Sequence, residues 1–260
     1  MNIDDLCRDL LDERAELLGV LSTLDDDGWH RPTPAPGWTV LDQAAHLAFF
    51  DDATRQAVAE PDTFRERRRA DRADAADGGS IVDRARDDHA HLSGAEVLTW
   101  LTRSGEALVA AARSADPAVR VPWYGPDMSL ASALTARIME TWAHGQDVLD
   151  ALGVTREPSG RLGHIVFLGY RALPYSFTVN DRPVPDAPVR VEVGEWAFGP
   201  EDAENRVSGD ALDFCLVVTQ RRHLDDTDLV VEGPVAAEWM GIAQAFAGPP
   251  GGGRRPGSTR

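Results

Sequence analysis

The chain has 260 residues, 43% of them hydrophobic and 27% charged, the composition of a globular protein of one or two domains whose core needs no disulfides. Acids outnumber bases 43 to 26, for a net charge of −17, which argues against nucleic acid or an anionic membrane surface as a partner, since no clustered basic face is expected to release counterions. Every one of the 26 basic residues is arginine, and a chain without lysine cannot run Schiff-base or lysine-nucleophile chemistry.

In chain order, the opening Met1–Asp5 is acidic and lacks a signal-peptide pattern. No apolar run reaches the ~18–20 residues of a spanning helix. Leucines at three- and four-residue steps predict a first helix over Asp4–Leu24. A breaker-rich loop follows, Pro32 to Trp38, and then Thr39 with Asp42, a capping pair that starts a second helix over Val40–Ala59. The charged stretch Arg65–Asp77 reads as a mobile or solvated segment. Ser93 with Glu96 caps a third helix whose apolar face includes Leu98, Leu101 and Leu108. A fourth runs over Ser129–Leu152, with Gly153 in the position of a left-handed C-cap.

The pattern changes after Pro158. A helix is predicted over Arg161–Leu173, then a Pro-rich crossing at Pro183, Pro185 and Pro188. Val189–Val193 alternates with period two, a strand, with Trp196–Gly199 as its hairpin partner. Gly209–Arg221 is helical, Leu229–Val231 a short strand and Val235–Phe246 a last helix. The tail from Pro249 has the composition of a disordered segment. The order is α followed by α+β: a helical bundle over 1–155, a helical connection over 156–184, an α+β domain over 185–248 and a tail over 249–260.

Glu140 and His144 lie four apart on the fourth helix and share one face. Carboxylate and neutral imidazole are both zinc ligands, although such a pair on a helix is usually a surface or polar contact. His46 sits mid-helix in an apolar run. The plain alternative for it is a core histidine bonded to a neighbouring helix. Yet helices two and four of a bundle can face each other, and two His and one Glu would leave a fourth coordination position open for water or substrate, as catalytic zinc sites do. Arg137 and Asp147 extend the same stripe, either as groups touching a ligand or the substrate or as an intrahelical surface pair. Trp38, Trp123 and Trp142 are pocket-wall candidates that a bundle core could equally claim. His89 and His91 are expected to be exposed. Cys7 and Cys215 belong to no C-x-x-C pair, which suits a reduced cytoplasm, and Cys215 in its apolar run is expected to be inert.

Two segments together, W-T-V-L-D-Q-A-A-H-L at 38–47 and E-T-W-A-H-G-Q-D-V at 140–148, resemble the mycothiol-dependent maleylpyruvate isomerase family, whose N-terminal domain is a DinB-like four-helix bundle. The resemblance implies a metal triad at His46, Glu140 and His144. Val189–Val191 and Phe214–Arg221 look like the accompanying α+β domain, similar to sterol-carrier folds, and 243–248 looks like the end of an actinobacterial-type metal-binding subfamily. The implied protein is a cytoplasmic enzyme, monomeric or homodimeric, with one divalent metal, zinc by preference. It would use mycothiol in an isomerase or S-transferase reaction on a small electrophilic molecule. If the second domain closes over the bundle, Arg221 or its neighbour Arg222 would hold a substrate carboxylate. Two other classes stay open: a thiol-independent metal-assisted hydrolase, lyase or cyclase, and a non-catalytic metal or small-ligand binding protein. A polar knot without metal is the third outcome.

Overall fold

The computed structural model describes residues 2–74 and 81–258, with only the backbone given at 72–74. The chain divides into two compact units, residues 1–155 and 156–260. Among the described residues no helix is long and apolar enough to cross a membrane.

The first unit is a bundle of four long helices: α1 (Ile3–Leu21), α3 (Val40–Ala59), α6 (Gly94–Ser114) and α7 (Leu130–Leu152). Short helices fill between them: α2 (Asp26–Trp29), α4 (Pro61–Asp74) and α5 (Ile81–His89). A two-residue ribbon, β1 (Arg120–Val121) with β2 (Met128–Ser129), precedes α7. The helix starts are local chemistry. Thr39 and Asp42 form a reciprocal box, with Thr39 N–H donating to Asp42 Oδ2 at 2.7 Å. Ser93 and Glu96 do the same at α6, which satisfies amide groups that the first helical turn leaves orphaned. Gly153 ends α7 at φ +70°, a conformation that glycine adopts without steric cost. α3 is the central helix and packs on α4, α5, α6 and α7.

One buried carboxylate ties the long helices together. Asp51 of α3, 0% exposed, accepts from Arg137 Nε of α7 at 2.9 Å and from Arg14 Nη1 of α1. Arg14 also donates to the Leu101 carbonyl of α6, and Arg137 to the Leu47 carbonyl of α3 at 3.3 Å. All four long helices therefore meet at one ion cluster. Gly105 of α6 leaves room for it, since a Cβ there would overlap the Arg14 guanidinium.

The charged stretch from Arg65 differs from its expectation. Its described part lies in the ordered helix α4, and its end, 75–77, lies outside the described residues. One fully buried aromatic, Phe64, anchors the helix, stacked on Trp123 at 5.8 Å with rings 4° apart. The arginine stems then lie on protein: Arg67 sits over the Phe49 ring at 4.9 Å, and Arg68 donates to the Trp123 carbonyl at 2.5 Å. Long basic side chains cover apolar surface in this way while their heads stay polar.

The second unit carries a four-stranded mixed sheet in the order β4-β3-β5-β6. Its strands are β3 (Val189–Val193), β4 (Trp196–Phe198), β5 (Asn205–Gly209) and β6 (Val230–Glu232). β3 pairs antiparallel with β4 and parallel with β5. The helices are α8 (Leu162–Arg171), α9 (Leu173–Val179), α10 (Ala211–Val218) and α11 (Pro234–Met240). The one helix expected over Arg161–Leu173 is thus two, broken at Ala172 ahead of Pro174. α8 packs on α10 and β4, so it belongs to this unit's own core rather than serving as a mere connection. The pattern gave no hint of β5, because its inward positions are one valine, Val207, and one buried polar residue, Asn205. Asn205 Oδ1 accepts from Val235 N–H at 2.9 Å and so ties the strand to the start of α11. Residues 249–258 form no helix or strand, but Gly251 N–H donates to Gln244 Oε1 at 2.9 Å and Gly257 N–H to the Asp226 carboxylate at 2.8 Å.

Removing the shared carboxylate tests the cluster. Asp51→Ala strands two buried guanidinium groups, and the loss should be about 3–5 kcal/mol. It would be read as a lower urea midpoint, with Gly105→Ala shifting the midpoint the same way. An Asp51→Ala protein as stable as the parent would remove the cluster from any structural role.

Candidate metal centre

α3 and α7 bring three donors together. His46, Glu140 and His144 each offer a ligand atom, all within 4.8 Å of one another. Glu140 Oε2 lies 3.2 Å from His144 Nε2 and 3.9 Å from His46 Nε2. The two imidazole centroids are 4.2 Å apart. The side chains are 9%, 24% and 13% exposed in sequence order, so the cluster is set into the bundle but open on the Glu140 side.

Aromatic rings surround it. Phe50, one turn after His46, lies 4.6 Å from the His46 ring. Trp38 meets His46 edge-on at 5.3 Å and stacks on His144 at 5.9 Å, 29° from coplanar. Trp38 is presented by a rigid turn. Ala35, Pro36, Gly37 and Trp38 form a type II turn, with Trp38 N–H on the Ala35 carbonyl at 3.1 Å and Gly37 at φ +78°. Of the other two tryptophans, Trp142 is a core residue, 1% exposed, while Trp123 is half-buried against Phe64.

The charge states suit a cation. Burial, then repulsion from His144, pushes the His46 imidazole down to about 3, so it is neutral at physiological pH. Burial works to raise the Glu140 carboxyl, but the hydrogen bonds and charges of His144 and His46 outweigh it and hold the group well below the usual range. Metal ligands must be a deprotonated carboxylate and neutral imidazole, and these are those forms. His46 Nδ1 is buried with no hydrogen-bond partner among the described residues. The other ring nitrogen, Nε2, is the one that faces Glu140.

The other expected site residues are placed elsewhere. Arg137 is 4% exposed and spends its guanidinium on Asp51 and the Leu47 carbonyl. It touches the centre through the backbone of α3 and as a positive charge that helps lower His46, so it is no surface partner of Asp147. Asp147 is buried one turn along α7 from His144 and is not one of the three converging donors. Arg221 lies in the second unit just past α10, where it donates to the Thr219 carbonyl at 2.6 Å. His89 is half-buried rather than exposed, with its ring 4.5 Å from Trp100 and Nδ1 on the Ala85 carbonyl at 2.6 Å.

One residue that sequence reasoning passed over joins the centre. Gln43, 0% exposed, has its Oε1 2.5 Å from His144 Nδ1 and its Nε2 2.9 Å from Thr33 Oγ1. The available signal was a glutamine on the buried face of α3, one turn before His46.

A helical bundle carrying a two-histidine, one-carboxylate cluster beside a small α+β unit defines the class. Residues 10–149 match the Mycothiol maleylpyruvate isomerase N-terminal domain, and the chain belongs to that family. Uncharacterised proteins from two strains of Mycobacterium tuberculosis are each 44% identical over 255 residues, covering 95% of this chain and 96% of theirs. The fold is that of the crystal structure of the mycothiol-dependent maleylpyruvate isomerase. The TM-score is 0.60 at 14% identity, over 85% of this chain and 90% of that one. A histidine-to-alanine mutant of that enzyme superimposes with a TM-score of 0.62 at 14% identity, over 90% and 97%.

The chain's own thiols play no part in this centre. Burial raises Cys7, and it raises Cys215 well above the ordinary thiol range. Both should resist a disulfide reagent in the native protein and react at once in denaturant; rapid native labelling of either would contradict the burial.

Proposed function

We propose that this protein is a metal-dependent enzyme of the mycothiol-dependent isomerase type, acting on a small electrophilic substrate, with His46, Glu140 and His144 holding one divalent ion. The observation that carries the reading is the convergence of these three donors within a chain of that family. Two nitrogens and one carboxylate oxygen with room for a fourth ligand favour zinc. Bound there, a divalent cation supplies Lewis acidity that converts a thiol or water to its nucleophilic anion near neutral pH.

The chain's own residues do the rest. Glu140 and His144 hold their places on one helix face by spacing alone, and His46 closes the triad from α3. Phe50 and Trp38 keep bulk water off the two imidazoles, which strengthens every charge interaction inside. Arg137 holds α3 against α7 through the Leu47 carbonyl next to His46 and biases His46 toward its neutral form. The absence of lysine and the burial of both cysteines remove two protein nucleophiles, so an added thiol of the mycothiol type or a metal-activated water would fill that role, and membership of the family favours the thiol.

Metal analysis of purified protein, followed by assay of maleylpyruvate turnover with and without mycothiol, tests this. His46→Ala, Glu140→Ala and His144→Ala should each cut metal affinity by at least about 100-fold, the upper end of what loss of an outer-sphere partner alone causes. Thiol-dependent turnover should vanish with the metal while the helix content stays. Retained stoichiometric metal in the triple variant would refute the ligand set, and metal-dependent turnover indifferent to thiol would refute the cofactor.

The ion should also be visible optically. Loading with Co2+ in place of zinc should quench the Trp38 emission through its contact with both imidazoles, and Trp38→Phe should remove most of that quenching. Undiminished quenching in Trp38→Phe would place the ion near another of the tryptophans.

A further inference from the structure

Proton accounting decides how His144 presents itself to an ion. Thr33 has one hydroxyl proton, and it goes to the Trp38 carbonyl at 3.0 Å, an atom that can only accept. Thr33 Oγ1 is therefore the acceptor for its other polar neighbour, the Gln43 side chain at 2.9 Å, and the amide group of Gln43 facing it must be the NH2 end. That orientation turns Gln43 Oε1 toward His144 Nδ1 at 2.5 Å. An amide oxygen only accepts, so Nδ1 carries the proton. In the neutral ring the lone pair then sits on Nε2, the atom 3.2 Å from Glu140 Oε2. The Nε2 lone pair and the carboxylate then converge on one position, which a cation can occupy, whether a metal ion or the proton of an Nε2–H bond to Glu140.

We propose that Gln43 is a positioning residue of the metal centre: it fixes His144 as the Nδ1–H tautomer, aims Nε2 at the ion, and through Thr33 ties that ligand to the turn that carries Trp38. The proposal rests on the metal reading above. Its support in this chain is the complete burial of Gln43 with one amide end on Thr33 and the other on His144. A buried amide costs free energy unless both its ends are bonded, and here both are. A partner of this kind orients a metal-bound imidazole. An amide does so without adding a negative charge behind the ligand, as a carboxylate in the same place would.

The test separates positioning from mere packing. With histidine nitrogens labelled, NMR of the metal-free protein, above the usual imidazole titration range, reads the His144 tautomer directly. The parent should show the proton on Nδ1. Gln43→Met, close in size and without an acceptor, should shift the proton to Nε2 or mix the two forms. Zinc affinity by chelator competition should fall by ~10–100-fold in Gln43→Met. It should recover in Gln43→Glu, which restores an acceptor, and Co2+ bound to Gln43→Met should show altered visible absorption. Thr33→Val, which releases the amide to rotate, should move the tautomer in the same direction as Gln43→Met; this variant keeps the test available if Gln43→Met does not fold. An unchanged tautomer and unchanged affinity in Gln43→Met and Thr33→Val would overturn the proposal. If the parent takes up no metal yet its tautomer responds as described, the ligand reading fails while the positioning of His144 by Gln43 stands.

Discussion

The bundle depends on one shared carboxylate. Asp51 has no solvent to stabilise it, so its charge is held only by the guanidinium groups of Arg14 and Arg137. Such a cluster gains little over a well-packed apolar core, but it punishes misalignment, because a helix out of register leaves a buried charge unpaired. The donors sit five residues before Asp51 on α3, at His46, and three residues after Arg137 on α7, at Glu140. The ion pair therefore fixes the relative position of the two helices that bear the candidate ligands.

The same arrangement sets the electrostatics of the centre. Two guanidinium groups around one carboxylate leave an excess of positive charge behind His46. Burial, and then repulsion from His144, keeps the His46 ring neutral, with Arg137 a smaller push in the same direction. Glu140 is the counterweight: it is the most exposed of the three donors and remains ionised because two imidazoles face it. A neutral donor on the buried side and an anionic one toward solvent give the cluster a direction, with its most exposed edge at Glu140. The aromatic rings of Trp38 and Phe50 close the other directions without adding polar groups that would compete for the ion.

Two rigid local devices hold the ring of Trp38 and the chain of bonds behind it. Pro36 and Gly37 form the turn, and Thr33 clamps its ends through both its amide and its hydroxyl on the Trp38 carbonyl. Gln43, one turn inside the helix that Thr39 caps, reaches back to that clamp. A histidine on one helix is in this way oriented by a loop preceding another, with no contact between the two backbones required.

Much of this was legible in the sequence because it is local. Helix caps at Thr39 and Ser93, the C-cap at Gly153 and the i, i+4 pair of Glu140 and His144 each depend on residues within one or two turns, where the geometry of the helix fixes distances. Strand β3 was readable for the same reason, its valines alternating over five residues. The resemblance of segments 38–47 and 140–148 to a family supplied the third donor, His46, which spacing alone could offer only as one alternative.

What the tertiary structure decided are pairings across elements. Asp51 and Asp52 are neighbours of identical type, and only packing makes Asp51 a buried hub while Asp52 accepts from Trp100 Nε1 at 2.7 Å. Arg137 shares the ligand stripe in sequence, but its length lets it turn into the core toward Asp51 instead. The arginine-rich α4 is anchored by the buried Phe64 and by arginine stems laid on Phe49 and Trp123, contacts that composition cannot register. β5 forms because β3 and β6 flank it, although its own residues barely declare it. Gln43 serves a histidine 101 residues away; no periodicity carries that information, because it exists only once two helices have been brought side by side.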